Sequence, residues 1–207
     1  YPSIGPNNYT EVGKEILNKG MKAPTGDYMA SLLHAAYCND SVKNEPEFQN
    51  VREIMKSGWL WVFNRNLWTK DGVYVLSDLE AIGRSQPLHQ KDLEKVLKNS
   101  KDILGVRFSR DGQVRFTPKE NYQLGEHTPE SLAKDGFVIA SYGFEGAEKL
   151  GEVSSKFKNK PYIYGVETDI AEQRVSALYS DSLDGGLGVG GDYFGDSRGG
   201  YAFGVLK

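Results

Sequence analysis

Apolar residues return at helical spacing in three stretches of the first quarter of the chain. Residues 11–18 read as a short amphipathic helix, with Thr10 as N-cap and Gly20 at its end. Residues 25–38 read as a longer one, in which Tyr28, Met29, Leu32, Leu33, Ala36 and Tyr37 fall on one stripe. Residues 47–56 would bury Phe48, Val51, Ile54 and Met55 and stop at Gly58. The period then changes. Residues 59–68 are rich in β-formers, Asp71-Gly72 is a hairpin turn signal, and 73–76 supply the returning strand. A short helix at 90–97 precedes a second hairpin, 106–109 and 114–117, turned by Arg110, Asp111 and Gly112. The apolar run 137–142 reads as a strand, 146–158 as a helix with Ala147, Leu150, Val153 and Phe157 inward, and 162–167 as another strand. Segments 174–179 and 201–205 read as the closing strands. No linker or repeat interrupts the series, so residues 1–207 are expected to form a single α+β domain.

Between the two closing strands lies the most informative stretch. From Leu183 to Gly204, nine of 22 residues are Gly, interleaved with Tyr, Ser, Asp and Phe. Such a backbone suits closely spaced turns and is expected to be a surface rather than a core. Tyr offers wide amphipathic contact at low entropic cost while Ser and Gly adapt, the mixture that dominates antibody binding loops. The segment therefore reads as a place that grips a ligand.

Composition narrows the partners. Across 207 residues the net charge is −3 with both signs interspersed, which leaves no electrostatic footprint for nucleic acid. No apolar run approaches the roughly 20 residues needed to span a bilayer, so the chain is expected to be soluble and to carry no membrane segment. Its opening residues lack the regions of an export signal. Because it starts with Tyr1 rather than Met, its cellular location stays open. Cys38 stands alone, which excludes an intramolecular disulfide and a multi-cysteine metal site.

Several constellations carry candidate chemistry. Trp59, Trp61 and Phe63 would share one strand face; a sugar-stacking platform is the sharper reading, core the one adopted. His34 and Cys38 are four residues apart on one helical face, as in a nucleophile pair or half a metal site. No third ligand or orienting residue follows them in sequence, and the structural reading is preferred. His89 and His127 read as surface or cap residues. Gly186, Gly188, Gly190, Gly191 and Asp192 imitate a nucleotide-binding or calcium-binding glycine motif, but no helix follows and the calcium motif works only in tandem. Asp181 and Asp184 read as solvated turn carboxylates, since nothing apolar around them would raise a pKa.

Three segments together resemble a known superfamily. Ala23-Pro24-Thr25 through Met29 and Ala30 resembles the helix-opening Pro-Thr-x-x-x-Trp-x-x-Ala segment of formylglycine-generating-enzyme-type C-type lectin domains, with Met29 in place of the aromatic. The Trp-rich hairpin resembles their central Asn-x-Trp-x-Trp region. Arg174 to Leu178, Gly190-Gly191-Asp192, Arg198-Gly199-Gly200 and Ala202 to Val205 resemble their closing strands. Within the superfamily the enzymes use cysteine-centred copper chemistry, which Cys38, far from the C-terminal segment, does not match. The chain is more similar to the variable proteins of diversity-generating retroelements, particularly the archaeal branch, whose C-terminal segment is rewritten by adenine-specific mutagenic reverse transcription.

That resemblance implies a C-type lectin-like fold and a non-enzymatic binding protein, with a diversified segment at about 174–205. It makes Tyr179, Ser180, Asp181, Ser182, Asp184, Asp192, Tyr193, Phe194, Asp196, Ser197 and Tyr201 the contact positions, with Tyr193, Phe194 and Tyr201 as anchors. The implied partner is a protein or other macromolecule, and no cofactor is implied. The calcium-ligand triplets of sugar-binding lectins are absent. The competing reading is a small hydrolase or oxidase using Cys38, His34 or a loop carboxylate.

Overall fold

The computed structural model describes residues 3–180 and 185–206. In chain order the elements are β1 (Ile4–Asn7), α1 (Tyr9–Asn18), α2 (Gly26–Cys38), α3 (Pro46–Ser57), β2 (Trp59–Thr69), β3 (Gly72–Ser77) and α4 (Gln90–Val96). There follow β4 (Lys101–Ile103), β5 (Val106–Phe108), β6 (Val114–Pro118), β7 (Gly125–Glu126), α5 (Pro129–Leu132) and α6 (Gly136–Ser154). The chain closes with β8 (Tyr162–Tyr164), β9 (Glu172–Ser180), β10 (Leu187–Tyr193) and β11 (Gly200–Ala202). All these strands join one mixed sheet in the order β4-β5-β6-β3-β2-β9-β10-β8-β7, with β11 linking β2 to β1. The architecture is α+β.

Side-chain alternation along the strands divides the core into two faces. Leu60, Val62, Leu178, Leu187, Val189 and Ile163 point to the face covered by α2, α3 and α6, where the largest apolar cluster lies. Trp61, Phe63, Val175 and Ala177 point to the opposite face, where α1 lays Tyr9, Val12 and Ile16 over them. Further along that long sheet, Leu67, Tyr74 and Phe116 pack with Leu93 and Leu97 at α4. The Tyr9 hydroxyl donates to Asp78 at 2.9 Å, fastening α1 to the turn after β3. As α1 is short, it covers only part of its face.

Three local readings need correction. The first helix is capped by Asn8, whose side chain accepts from the Glu11 amide at 2.9 Å, and Thr10 lies inside it. The apolar run 137–142 is the first half of α6, not a strand. Asp135 caps it through the amides of Phe137 and Val138 at 2.8 and 3.2 Å, and a run this short is buried equally well in either form. Gly143, at φ 74° and ψ 172°, kinks α6 and separates that buried turn from the amphipathic half the sequence predicted. The glycine-rich stretch is the third case. Its central part is β10, buried from Leu187 to Gly191 between β9 and β8, and a turn follows beyond Phe194.

Candidate ligand-binding face

On the face that α1 leaves uncovered, register builds two cross-strand rows. Trp59 of β2 pairs with Tyr179 of β9, which pairs with Gly188 of β10, which pairs with Tyr162 of β8. One step along, Trp61, Ala177, Gly190 and Tyr164 form the second row. Beyond Gly190 a bulge in β10 inserts an extra residue and brings Tyr193 opposite Val175. The two glycines are a floor. A Cβ on Gly188 would stand 2.6 Å from the Tyr179 ring, and one on Gly190 would stand 2.7 Å from the Tyr193 ring. The rings thus lie directly on backbone where any side chain would hold them off.

The result is a continuous aromatic pavement. Ring centroids are 4.3 Å apart for Tyr162 and Tyr164, 5.6 Å for Tyr164 and Tyr179, and 5.9 Å for Tyr179 and Tyr193. Tyr193 then meets Trp61 at 5.7 Å and Trp59 at 6.0 Å. Trp61 is fully buried and anchors the inner end beneath α1, where its ring meets Tyr9 at 5.6 Å. Trp59, Tyr164, Tyr179 and Tyr193 are half-buried, and Tyr162 is 42% exposed at the outer end. Beside Tyr162 and Tyr164 opens a cleft of about 350 Å³, lined also by Gly186 to Gly188, Asn159, Lys160 and Glu126.

The hydroxyls of Tyr164, Tyr179 and Tyr193 lie close enough to influence one another electrostatically. Burial pushes Tyr193 up to about 12 and raises Tyr179 further, so these two tyrosines are uncharged at any physiological pH. Asp192 is raised by burial as well, with the Arg174 guanidinium acting in the opposite sense. Among the described residues its Oδ1 and the Trp59 Nε1 are buried polar atoms without a hydrogen-bond partner.

Phe194 leaves the strand and is 52% exposed. Two guanidinium groups hold its ring, Arg174 at 4.1 Å and Arg84 at 4.7 Å from the centroid, and Glu172 pairs with Arg174 behind it. This cation–π clamp orders an aromatic side chain that would otherwise be free to rotate in water.

Of the sequence-derived positions, Tyr179, Tyr193 and Phe194 come together on or beside this face, with Ser180 ending β9 half-buried and paired with Leu187. Asp196 and Ser197 are exposed on the turn after β10. Asp181, Ser182 and Asp184 lie outside the described residues. Tyr201 does not join the group. It follows Leu60 in register and packs against the cluster beneath α3, on the other side of the sheet from Tyr193. Sequence reasoning missed Tyr162 and Tyr164, although their alternation was a visible signal, and it assigned Trp59 to the core along with Trp61.

The other histidine and cysteine sites also resolve. His127 is buried rather than on the surface, contacting the Gln123 carbonyl at 2.8 Å and the Ser131 hydroxyl at 3.0 Å. His34 and Cys38 gain a third neighbour, Glu152 of α6, whose Oε2 lies 2.7 Å from His34 Nε2. Burial pushes the Cys38 thiol up, which makes it a poor nucleophile in the resting protein.

No family model matches the chain, and no curated protein matches it. A solved structure described as accommodating massive sequence variation in Nanoarchaeota by the C-type lectin fold is 14% identical. The match spans 100% of this chain and 97% of that one, at a TM-score of 0.55. At that identity the likeness speaks for the fold alone, and it agrees with the mixed sheet, its flanking helices and the joined terminal strands β1 and β11: the chain has the C-type lectin fold.

Proposed function

We propose that this chain is a non-enzymatic ligand-binding protein that displays a diversified C-terminal surface, as the variable proteins of diversity-generating retroelements do. The observation that carries the reading is the convergence of Trp59, Tyr162, Tyr164, Tyr179 and Tyr193 on one half-exposed sheet face, floored by glycine and flanked by the clamped Phe194. Aromatic rings with neutral hydroxyls give broad contact area with hydrogen bonding at their tips, the chemistry of a protein-binding hot spot. Tyr179, Tyr193 and Phe194 come from the 174–205 segment, while Tyr162, Tyr164 and Trp59 belong to the fixed part. The fitting partner is a protein or other macromolecule broad enough to cover several strands. Residues Ser180, Asp181, Ser182, Asp184, Asp192, Asp196 and Ser197 complete the diversified set.

The test is a comparison of the coding region with its genomic neighbourhood. A near-copy of the 3′ end beside a reverse-transcriptase gene is expected, differing mainly at adenines, with substituted codons at the positions above. Substitutions falling instead on Leu178, Leu187 or Val189, which are fully buried, would sink the reading.

A further inference from the structure

Away from the aromatic face, α2 and α6 lie against each other on the far side of the sheet. Their approach is close: a Cβ on Gly26 would stand 1.9 Å from the Ser141 carbonyl oxygen, and one on Gly146 would stand 3.4 Å from the Ala30 Cβ. Helices in such contact hold their outward side chains at fixed separation. At the C-terminal half of α2, His34 and Cys38 project from one face, four residues apart. Opposite them, 118 residues from His34 in the chain, α6 presents Glu152. His34 Nε2 is 2.7 Å from Glu152 Oε2, and one donor atom from each of His34, Cys38 and Glu152 lies within 4.8 Å of the others.

We propose that His34, Cys38 and Glu152 form a binding site for a borderline transition-metal dication of the zinc type, with water as the fourth ligand. The donor set selects the class. Imidazole and thiolate suit zinc and its neighbours, whereas calcium and magnesium demand oxygen ligands. Geometry fits as well. Bonds of about 2.0–2.3 Å in a tetrahedron separate donor atoms by about 3.4–3.6 Å, longer than the 2.7 Å between His34 and Glu152 and inside the 4.8 Å within which all three donor atoms lie. Glu152 is exposed and long enough to swing outward by the short distance needed, while His34 and Cys38 are half-buried and held by the helix.

Charge also balances. On binding, the Cys38 Sγ–H bond breaks, its proton goes to solvent, and the sulfur electron pair enters the metal–sulfur bond. Thiolate and carboxylate then neutralise the dication, with imidazole neutral. Of the other charged groups around Cys38, Lys43 pairs with Asp40, which leaves the single positive charge of Lys156 beside the site.

The experiment uses the whole chain, stripped with a chelator and titrated with Co²⁺ and then Zn²⁺. A thiolate-to-cobalt charge-transfer band with intense tetrahedral visible bands is expected, lost when Zn²⁺ displaces the probe. Zn²⁺ at saturation should slow modification of Cys38 by a thiol reagent at least tenfold, whereas Mg²⁺ should not. H34A and E152Q should each weaken Co²⁺ binding by at least about tenfold, the scale set by residues that merely orient a ligand. C38S should abolish the charge-transfer band. A cobalt spectrum without thiolate character, or Cys38 labelling at one rate with and without Zn²⁺, would overturn the assignment, and neither readout depends on a variant folding.

Discussion

At the scale of single residues, glycine does the work that the aromatic face requires. Gly190 lies beneath Tyr193 so closely that an added methyl must lift the ring away from Trp61 and Trp59. Replacing Gly by Ala returns about 0.4–1 kcal/mol through the unfolded chain, but overpacking costs about 1–3 kcal/mol, so overpacking wins. G190A is therefore expected to lower the urea midpoint at unchanged m-value; an unchanged or higher midpoint would show that the ring does not rest there. Asp192 gives a pH-dependent counterpart. Burial raises its pKa above the unfolded value of 3.8, so its contribution to stability falls as pH climbs from below that value through the folded-state pKa. D192N removes the loss. It is expected to melt above wild type at neutral pH and to converge with it at about pH 3, where both forms carry an uncharged side chain. A variant less stable than wild type at neutral pH would count against this account.

At the scale of elements, β10 is the piece whose role differs most from what its composition announces. Glycine is a poor strand former and marks turns in isolation, yet Leu187 and Val189 alternate inward while Gly188 and Gly190 alternate beneath the tyrosines. Parallel pairing to β8 and antiparallel pairing to β9 place β10 inside the sheet rather than at an edge. Its amides are thus expected to exchange hydrogen only through global unfolding, at rates matching β9 and far slower than those of the turn at Gly195 to Arg198. Exchange at the rate of that turn would mean that the segment is a surface loop after all. The α6 segment teaches the converse lesson. Residues 137–142 are apolar all round because they are buried all round, and only Asp135 at the cap and the turn at Gly143 distinguish a helix from a strand there.

At the scale of the molecule, the sheet turns a set of separated segments into surfaces. Trp59, Tyr162 and Tyr179 are far apart in the chain and meet because β2, β9, β10 and β8 are ordered neighbours with fixed register. His34 and Glu152 meet because α2 and α6 pack on the same side of that sheet. By itself the sequence determined the α+β class, the first three helices and both the Asp-Gly and Arg-Asp-Gly hairpins, since periodicity and turn chemistry are local signals. Only the tertiary structure decided that the glycine run is an inner strand, that Tyr193 and Tyr201 face opposite ways, and that a carboxylate completes the His34 and Cys38 pair. Those outcomes depend on which strand lies beside which, and strand neighbours are chosen by burial across the whole chain rather than by any window of it.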